Sequence, residues 1–154
     1  MTNLDVAYIP TPKNIIRQML LLARLRQGEF LYDLGAGDGR ILIEGARTFR
    51  ARCVGVEIDP ERVKRLRERL EATKVEAKVI QGDLMQVNLS DANVVAIYLS
   101  DSVNARLSPK LSSELKPGAR IVSLDYSLPG WKLSKQVSVS NAGLNRKIYL
   151  YSAE

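Results

Sequence analysis

Short apolar runs alternate with helical patterns from one end of the chain to the other, and no linker, low-complexity tract or internal repeat marks a boundary. Runs of strand character fall near residues 29–34, 51–57, 76–81, 93–99 and 119–125. Between them, helical periodicity covers residues 38–48, 60–73 and 103–116, while the stretch "DLMQVNLSDA" reads as a loop. A leading helix is expected over residues 12–27, with Thr11 as N-cap, Pro12 at the first helical position and Gly28 as the stop. After Gly130 the period changes to two in "WKLSKQVSVS" and "KIYLYS", joined by "NAGLNR", which predicts a closing antiparallel hairpin. The expected fold is therefore α/β: a Rossmann-like, mostly parallel sheet of seven strands with helices on both faces and the hairpin at its end.

Length and composition narrow this picture. At 154 residues the chain fits one domain spanning residues 1–154, too short for a separate substrate domain. The longest apolar segment, "IIRQMLLLARL", is broken by Arg17 and Arg24 and resembles neither a membrane span nor a secretory signal, so a cytoplasmic location is expected. The single cysteine, Cys53, excludes an internal disulfide, and it lies on an apolar strand as a core residue would. With no histidine, a metal site is not expected, and any catalysis has to use carboxylates, phenols, lysines or positioning alone.

Charge adds one more bound. Lysine and arginine number 23 against 17 acidic residues, a net +6 compatible with nucleic acid or with proteins that bind it. Much of the excess comes from "ERVKRLRERLEATK", where Val63, Leu66 and Leu70 fall at helical spacing and the arginines take the remaining, solvated face.

The densest chemistry is "DLGAGDGR", residues 33–40, directly after the first strand and before a helix. Glycines at alternate positions let backbone N–H groups come close to a ligand without a side chain in the way. About twenty residues on, the second strand ends in Glu57 and Asp59, where a carboxylate can accept both ribose hydroxyls of a nucleoside. The glycines run G-x-G-x-G with Asp33 in front, rather than the G-x-G-x-x-G of dinucleotide sites. An acidic residue there repels a pyrophosphate and suits an ammonium group. A nucleoside at one end and an amino acid at the other describe S-adenosylmethionine. In "QGDL", after the third strand, Asp83 can accept from the adenine amino group while Leu84 packs on the ring.

Together "DLGAGDGR", "GVEIDP", "QGDL" and "LKPGAR" resemble the class I, seven-strand methyltransferases over nearly the whole chain and in the right order. "YIPTP", "IYLSDSVNARLSPKLSSELKPGARIVS" and "LPGW" are similar to the small archaeal protein lysine methyltransferases, which share their compact form with certain mitochondrial lysine methyltransferases. This resemblance implies a protein lysine N-methyltransferase of broad specificity. It puts Asp33, Gly35, Gly37 and Glu57 on the cofactor, with Asp83 and Leu84 around adenine. It also implies that residues 1–27 form a flap and helix, with Tyr8, Pro10 and Thr11 near the methionine part. Expected partners are proteins with exposed lysines, chromatin and nucleic-acid-binding proteins among them, with no membrane partner and a monomeric enzyme.

Around the acceptor, Tyr98, Ser100 and Asp101 follow the fourth strand and Tyr126 the fifth, with Trp131 nearby in sequence. Tyr98 is expected to be the catalytic, orienting phenol, against the alternative of core packing; Asp101 is open between this role and capping the next helix. Asp38 and Arg40 stand equally for loop geometry and for ligand contact, and Asp125 for a strand end or a substrate surface. "IYLSDS" lacks the Asn/Asp-Pro-Pro-aromatic motif of methyltransferases acting on bases or glutamine. Two rivals remain at this point: an RNA or other nucleic-acid methyltransferase, and a binding module that holds S-adenosylmethionine without turnover.

Overall fold

The computed structural model describes residues 11–154. Its centre is one seven-stranded sheet. Strands β1 (Phe30–Leu34), β2 (Arg52–Glu57), β3 (Lys78–Gln81), β4 (Val94–Ile97) and β5 (Arg120–Leu124) are parallel, and β6 (Leu133–Asn141) and β7 (Leu144–Ser152) close the sheet. The order is β3-β2-β1-β4-β5-β7-β6, with β7 inserted antiparallel between β5 and β6. Strand order reverses between β1 and β4, so the crevice that an open α/β sheet offers a ligand lies outside the carboxyl ends of those two strands.

Four α-helices flank the sheet among the described residues: α1 (Lys13–Leu22), α2 (Arg40–Arg47), α3 (Pro60–Ala72) and α4 (Asp101–Glu114). The strands are buried on both faces, as a parallel sheet covered by crossovers requires. On one face Ile15, Met19 and Leu20 of α1, Leu42 of α2 and Leu66 and Leu70 of α3 pack with Leu31, Cys53, Val94 and Val122. On the other, Leu107 and Leu111 of α4 pack with Leu34, Val95, Ile97, Ile121 and Tyr151. Alternate residues of β4 divide between the two clusters, which is the period of two at work. Among the described residues no helix is long and apolar enough to cross a membrane.

The elements agree with the sequence; several ends do not. The leading helix is Lys13–Leu22 rather than residues 12–27. Pro12, not Thr11, occupies its N-cap position, with no side-chain cap, and its carbonyl accepts from the amides of Ile15 and Ile16. The stop is Arg24 rather than Gly28: Arg24 adopts φ 54°, and the amides of Arg24 and Leu25 donate back to the carbonyls of Leu21 and Leu20. Lys74 (φ 58°) closes α3 the same way, so a basic residue takes the left-handed position where glycine is the usual signal. The turn is Ala142-Gly143 alone, both with positive φ, and not the whole of "NAGLNR": Asn141 pairs with Leu144, giving a two-residue hairpin. Ser100 caps α4 by accepting from Val103 N at 3.3 Å; Asp101 lies in the first turn instead.

Candidate active site

At the carboxyl end of β1 the chain turns sharply. Gly35 N and Ala36 N donate to Val56 O of β2 at 2.8 and 2.9 Å, and Gly39 N to Ala36 O at 2.9 Å, which winds the glycine loop tightly into α2. Gly39 begins α2 at φ 82°, and a β-carbon added there would lie 2.3 Å from Leu66 Cδ1, so both the backbone and the approach of α3 demand glycine. Leu66 is fully buried and cannot swing aside.

Glu57, at the end of β2, fastens this loop. Its Oε1 accepts from Gly37 N and its Oε2 from Asp59 N, both at 3.1 Å. Each oxygen retains a lone pair, so the same carboxylate that shapes the loop has acceptor capacity for a diol. Asp59 is a helix cap: Oδ1 accepts from Glu61 N at 3.0 Å, ahead of Pro60 at the first helical position.

Asp33 is the most perturbed acid here. Only 3% of it is exposed, and burial first, then the neighbouring charges of Glu57 and Asp38, push its carboxyl up to about 7. A carboxylate so placed gains from a cation that neutralises it without bringing in water. Asp38 shares loop geometry with Arg40, bonding its N at 3.2 Å and Nε at 2.7 Å, and stands 3.6 Å from Arg69. Of the two readings for this pair, the loop is the one with contacts. Beyond β3, Asp83 caps the 3₁₀ turn Leu84–Gln86 through Oδ1 to Met85 N at 2.9 Å. Its second oxygen is not needed there, and half-buried Leu84 follows on the same turn.

The fourth and fifth strands contribute an aromatic pair. Tyr98, just past β4, stacks on Tyr126, just past β5, with ring centroids 6.4 Å apart and planes 28° from parallel. Both are partly open, at 41% and 37% exposure, so the core reading of Tyr98 does not hold. Arg146 of β7 lays its guanidinium 5.5 Å from the Tyr98 ring centroid and binds Asp125 at 2.8 Å. Burial pushes the Tyr98 phenol upward, a rise that Arg146 opposes in part, so the ring is a neutral donor and acceptor rather than a phenolate. Asp125 sits at φ 64°, tied to Arg146 and to Lys147 N. Asn104, fully buried in α4, donates to Ser127 O at 3.0 Å and Tyr126 O at 3.4 Å and thereby holds the Tyr126 loop. Trp131 stands apart from this pair: its Nε1 donates to Ser108 O at 3.3 Å and its ring packs on the α4 side of the core.

Of the expected site residues, Asp33, Gly35, Gly37, Glu57, Asp83, Leu84 and Tyr98 all fall at the carboxyl ends of β1 to β4. Thr11 is half-buried ahead of α1, and Tyr8 and Pro10 lie outside the described residues. Arg146 and Asn104 did not stand out in the sequence, because their places depend on β7 and α4 folding back to the β4 and β5 ends; Asp125, open there between a strand end and a substrate surface, lies just past β5 and is bound to Arg146. Two clefts, of about 500 and 590 Å³, open at the opposite, amino ends of the strands and do not coincide with this constellation.

A sheet of this order, with a glycine loop after β1 and a carboxylate ending β2, defines a Rossmann-like methyltransferase. The chain belongs to the ANTKMT methyltransferase domain family, whose model matches residues 33–135. It is 40% identical over 149 residues to a protein-lysine N-methyltransferase of Saccharolobus islandicus, covering 95% of this chain and 92% of that one. The adenine nucleotide translocase lysine N-methyltransferase of mouse is 34% identical over 145 residues, covering 93% of this chain but 62% of the relative. Among solved structures, an RNA methyltransferase from Salinibacter ruber in complex with S-adenosyl-L-homocysteine superposes with a TM-score of 0.86 at 41% identity, covering 94% and 93% of the two chains.

Proposed function

We propose that this protein is an S-adenosylmethionine-dependent protein lysine N-methyltransferase acting on exposed lysine side chains. The donor set fits that cofactor: a buried carboxyl held near 7 for an ammonium, spare lone pairs on Glu57 for ribose hydroxyls, and Gly35, where an added β-carbon would crowd Leu99 at 3.3 Å. Asp33, Gly35, Gly37 and Glu57 would hold the amino acid and ribose portions, Asp83 and Leu84 the adenine, with Tyr8, Pro10 and Thr11 covering the methionine end. S-adenosylmethionine supplies an electrophilic methyl group on a sulfonium.

The observation that carries the lysine reading is the Tyr98–Tyr126 pair at the open ends of β4 and β5, whose face already accommodates a cation, Arg146. An aliphatic chain ending in an ammonium suits such a surface. A lysine with pKa near 10.4 costs roughly 5 kcal/mol to deprotonate at pH 7, and desolvation between the rings, with Arg146 as a like charge, lowers that cost. The neutral Tyr98 hydroxyl orients the amine lone pair toward the methyl, and this positioning supplies much of the rate. The described sheet and helices act as one catalytic unit, a monomer in the cytoplasm, with lysine-bearing proteins as partners.

A second reading, RNA methylation, is favoured by the name of the Salinibacter ruber relative. The two part in one experiment: methyl-labelled S-adenosylmethionine is incubated with the protein, a basic protein and total RNA, and label is counted after protease or nuclease digestion. Label recovered as methyl-lysine is the expected outcome. Label in nucleotides, or cofactor bound with no transfer, overturns it.

A further inference from the structure

The amino ends of β1, β2 and β3 form a basic rim at the opposite end of the sheet, and their chemistry has no part in the reaction above. Arg47 ends α2 and Arg50 follows it, Arg52 opens β2, and Lys74 and Lys78 flank the connection from α3 into β3. All five are exposed and line one cleft of about 590 Å³, in which Glu76 is the single acidic side chain. The arrangement is built in part: Arg47 Nη2 donates to Thr73 O at 2.7 Å, Arg52 Nε to Gly28 O at 3.1 Å, and the Arg52 guanidinium lies 4.8 Å from the Phe30 ring centroid. A second cleft along the same edge adds Arg24, Arg26 and Lys135, while Arg120 there is neutralised by Glu29 at 2.7 Å.

We infer that this basic edge docks the enzyme on the phosphate backbone of double-stranded DNA. Five cations against one acid in a single concave surface present the charge density that releases counterions from a polyphosphate. The one aromatic in the cleft, Phe30, is covered by Arg52, so there is no stacking platform of the kind that holds single strands. Glu76 is the one carboxylate, hydroxyl or amide acceptor among the side chains lining the cleft, so ribose 2′-hydroxyls, which donate as well as accept, find little to bind there and a DNA duplex is favoured over an RNA one. The edge is separated from the carboxyl-end site by the length of the strands, on the order of 15 Å. DNA held there is an anchor and not the methyl acceptor, and basic proteins already on the same duplex are brought within reach.

The test is fluorescence anisotropy of the full chain with a labelled duplex of about 20 base pairs, titrated between about 50 and 200 mM salt. Five phosphate contacts predict a log–log slope of about −4.5 and a fall in affinity of about 500-fold across that range. Changing Arg50→Gln, Lys74→Gln and Lys78→Gln together should remove about three units of slope and at least about tenfold in affinity. These side chains have no bonds to lose, and the charge-preserving set Arg50→Lys, Lys74→Arg and Lys78→Arg should keep binding. A control set of equal charge loss elsewhere, Lys64→Gln, Arg65→Gln and Lys132→Gln, should change affinity little. Equal loss in both glutamine sets overturns the proposal, as does tighter binding to an RNA duplex of the same sequence or to phosphatidylserine vesicles. None of these readouts uses methyl transfer, so they stand apart from the lysine reading.

Discussion

The two ends of the parallel strands differ in almost every property that chemistry can use. At the carboxyl ends, Asp33, Glu57 and Asp83 gather around a glycine loop, and their carboxyl oxygens mostly answer backbone amides. At the amino ends, Arg47, Arg50, Arg52, Lys74 and Lys78 stand exposed. The carboxyl end is crowded: a β-carbon at Gly39 meets buried Leu66, and Asp33 is pushed up to about 7 by burial and by its acidic neighbours. The amino end is open and carries its charge in water, where single ionic contacts are worth little. A net +6 therefore describes neither end. One sheet thus separates a crowded end, where an acid is buried, from a broad and exposed cationic end, and substitutions should behave oppositely at the two.

The largest effect is expected at Gly39. Gly39→Val forces a β-branched side chain into φ 82° and against Leu66 Cδ1, and should destabilise the fold by roughly 3 kcal/mol or more, read as a collapse of the thermal melting transition. A comparable change at the amino ends on an ordinary extended backbone, such as Lys78→Val at the exposed start of β3, should cost far less; parity between the two would break the comparison.

Next comes Asp33→Asn, which keeps the shape and removes the charge. Affinity for S-adenosylhomocysteine, measured calorimetrically, should fall about 10- to 100-fold with loss of a buried charged partner. The cofactor-free protein should move the other way. An ordinary aspartate ionises near 3.9 in the unfolded chain, whereas folded Asp33 keeps its proton to about 7. Raising pH across that window therefore draws the protein toward the unfolded state, with no further loss above it. Asparagine abolishes that loss and should add stability at pH 8, on the order of 1–3 kcal/mol. Unchanged affinity together with lowered stability would contradict the assignment.

The same group gives wild type a pH signature. Binding a ligand ammonium stabilises ionised Asp33, so affinity should rise about tenfold from pH 6 to pH 8 and flatten beyond, with a proton released on binding in the lower range. A flat profile would place the ligand's ammonium elsewhere.

The smallest effect belongs to the amino end. Arg24 holds a left-handed backbone at φ 54°, and Arg24→Gly should stabilise the protein by up to about 1 kcal/mol while leaving cofactor affinity unchanged. Lowered affinity there would show that the two ends are coupled.

Much of this was legible in the chain because the signals are local. Alternating apolar runs fix the sheet, and "DLGAGDGR" followed by "GVEID" brings Asp33, Gly37 and Glu57 together through two adjacent strands, as the Gly37 N to Glu57 Oε1 bond shows. The end of α1 was misread because Arg24, and not Gly28, takes the left-handed position; α3 ends within a residue of its expected end although Lys74 takes that position in place of a glycine. Arg146 over Tyr98 was invisible for a different reason. It depends on β7 pairing between β5 and β6, a long-range register that no local pattern encodes. The basic edge was hidden likewise, since its residues come from α2, β2 and the approach to β3, while the sequence drew attention to the arginines of α3, of which Arg62, Arg67 and Arg69 turn to Asp59, Val79 O and Asp38 instead.

The most direct test of the two-ended account is an amide chemical-shift map of the 154-residue chain titrated with S-adenosylhomocysteine. Shifts are expected at Gly35, Gly37, Glu57, Asp83 and Leu84, with Arg50, Lys74 and Lys78 unmoved. Shifts concentrated at the amino ends, with the glycine loop silent, would contradict it.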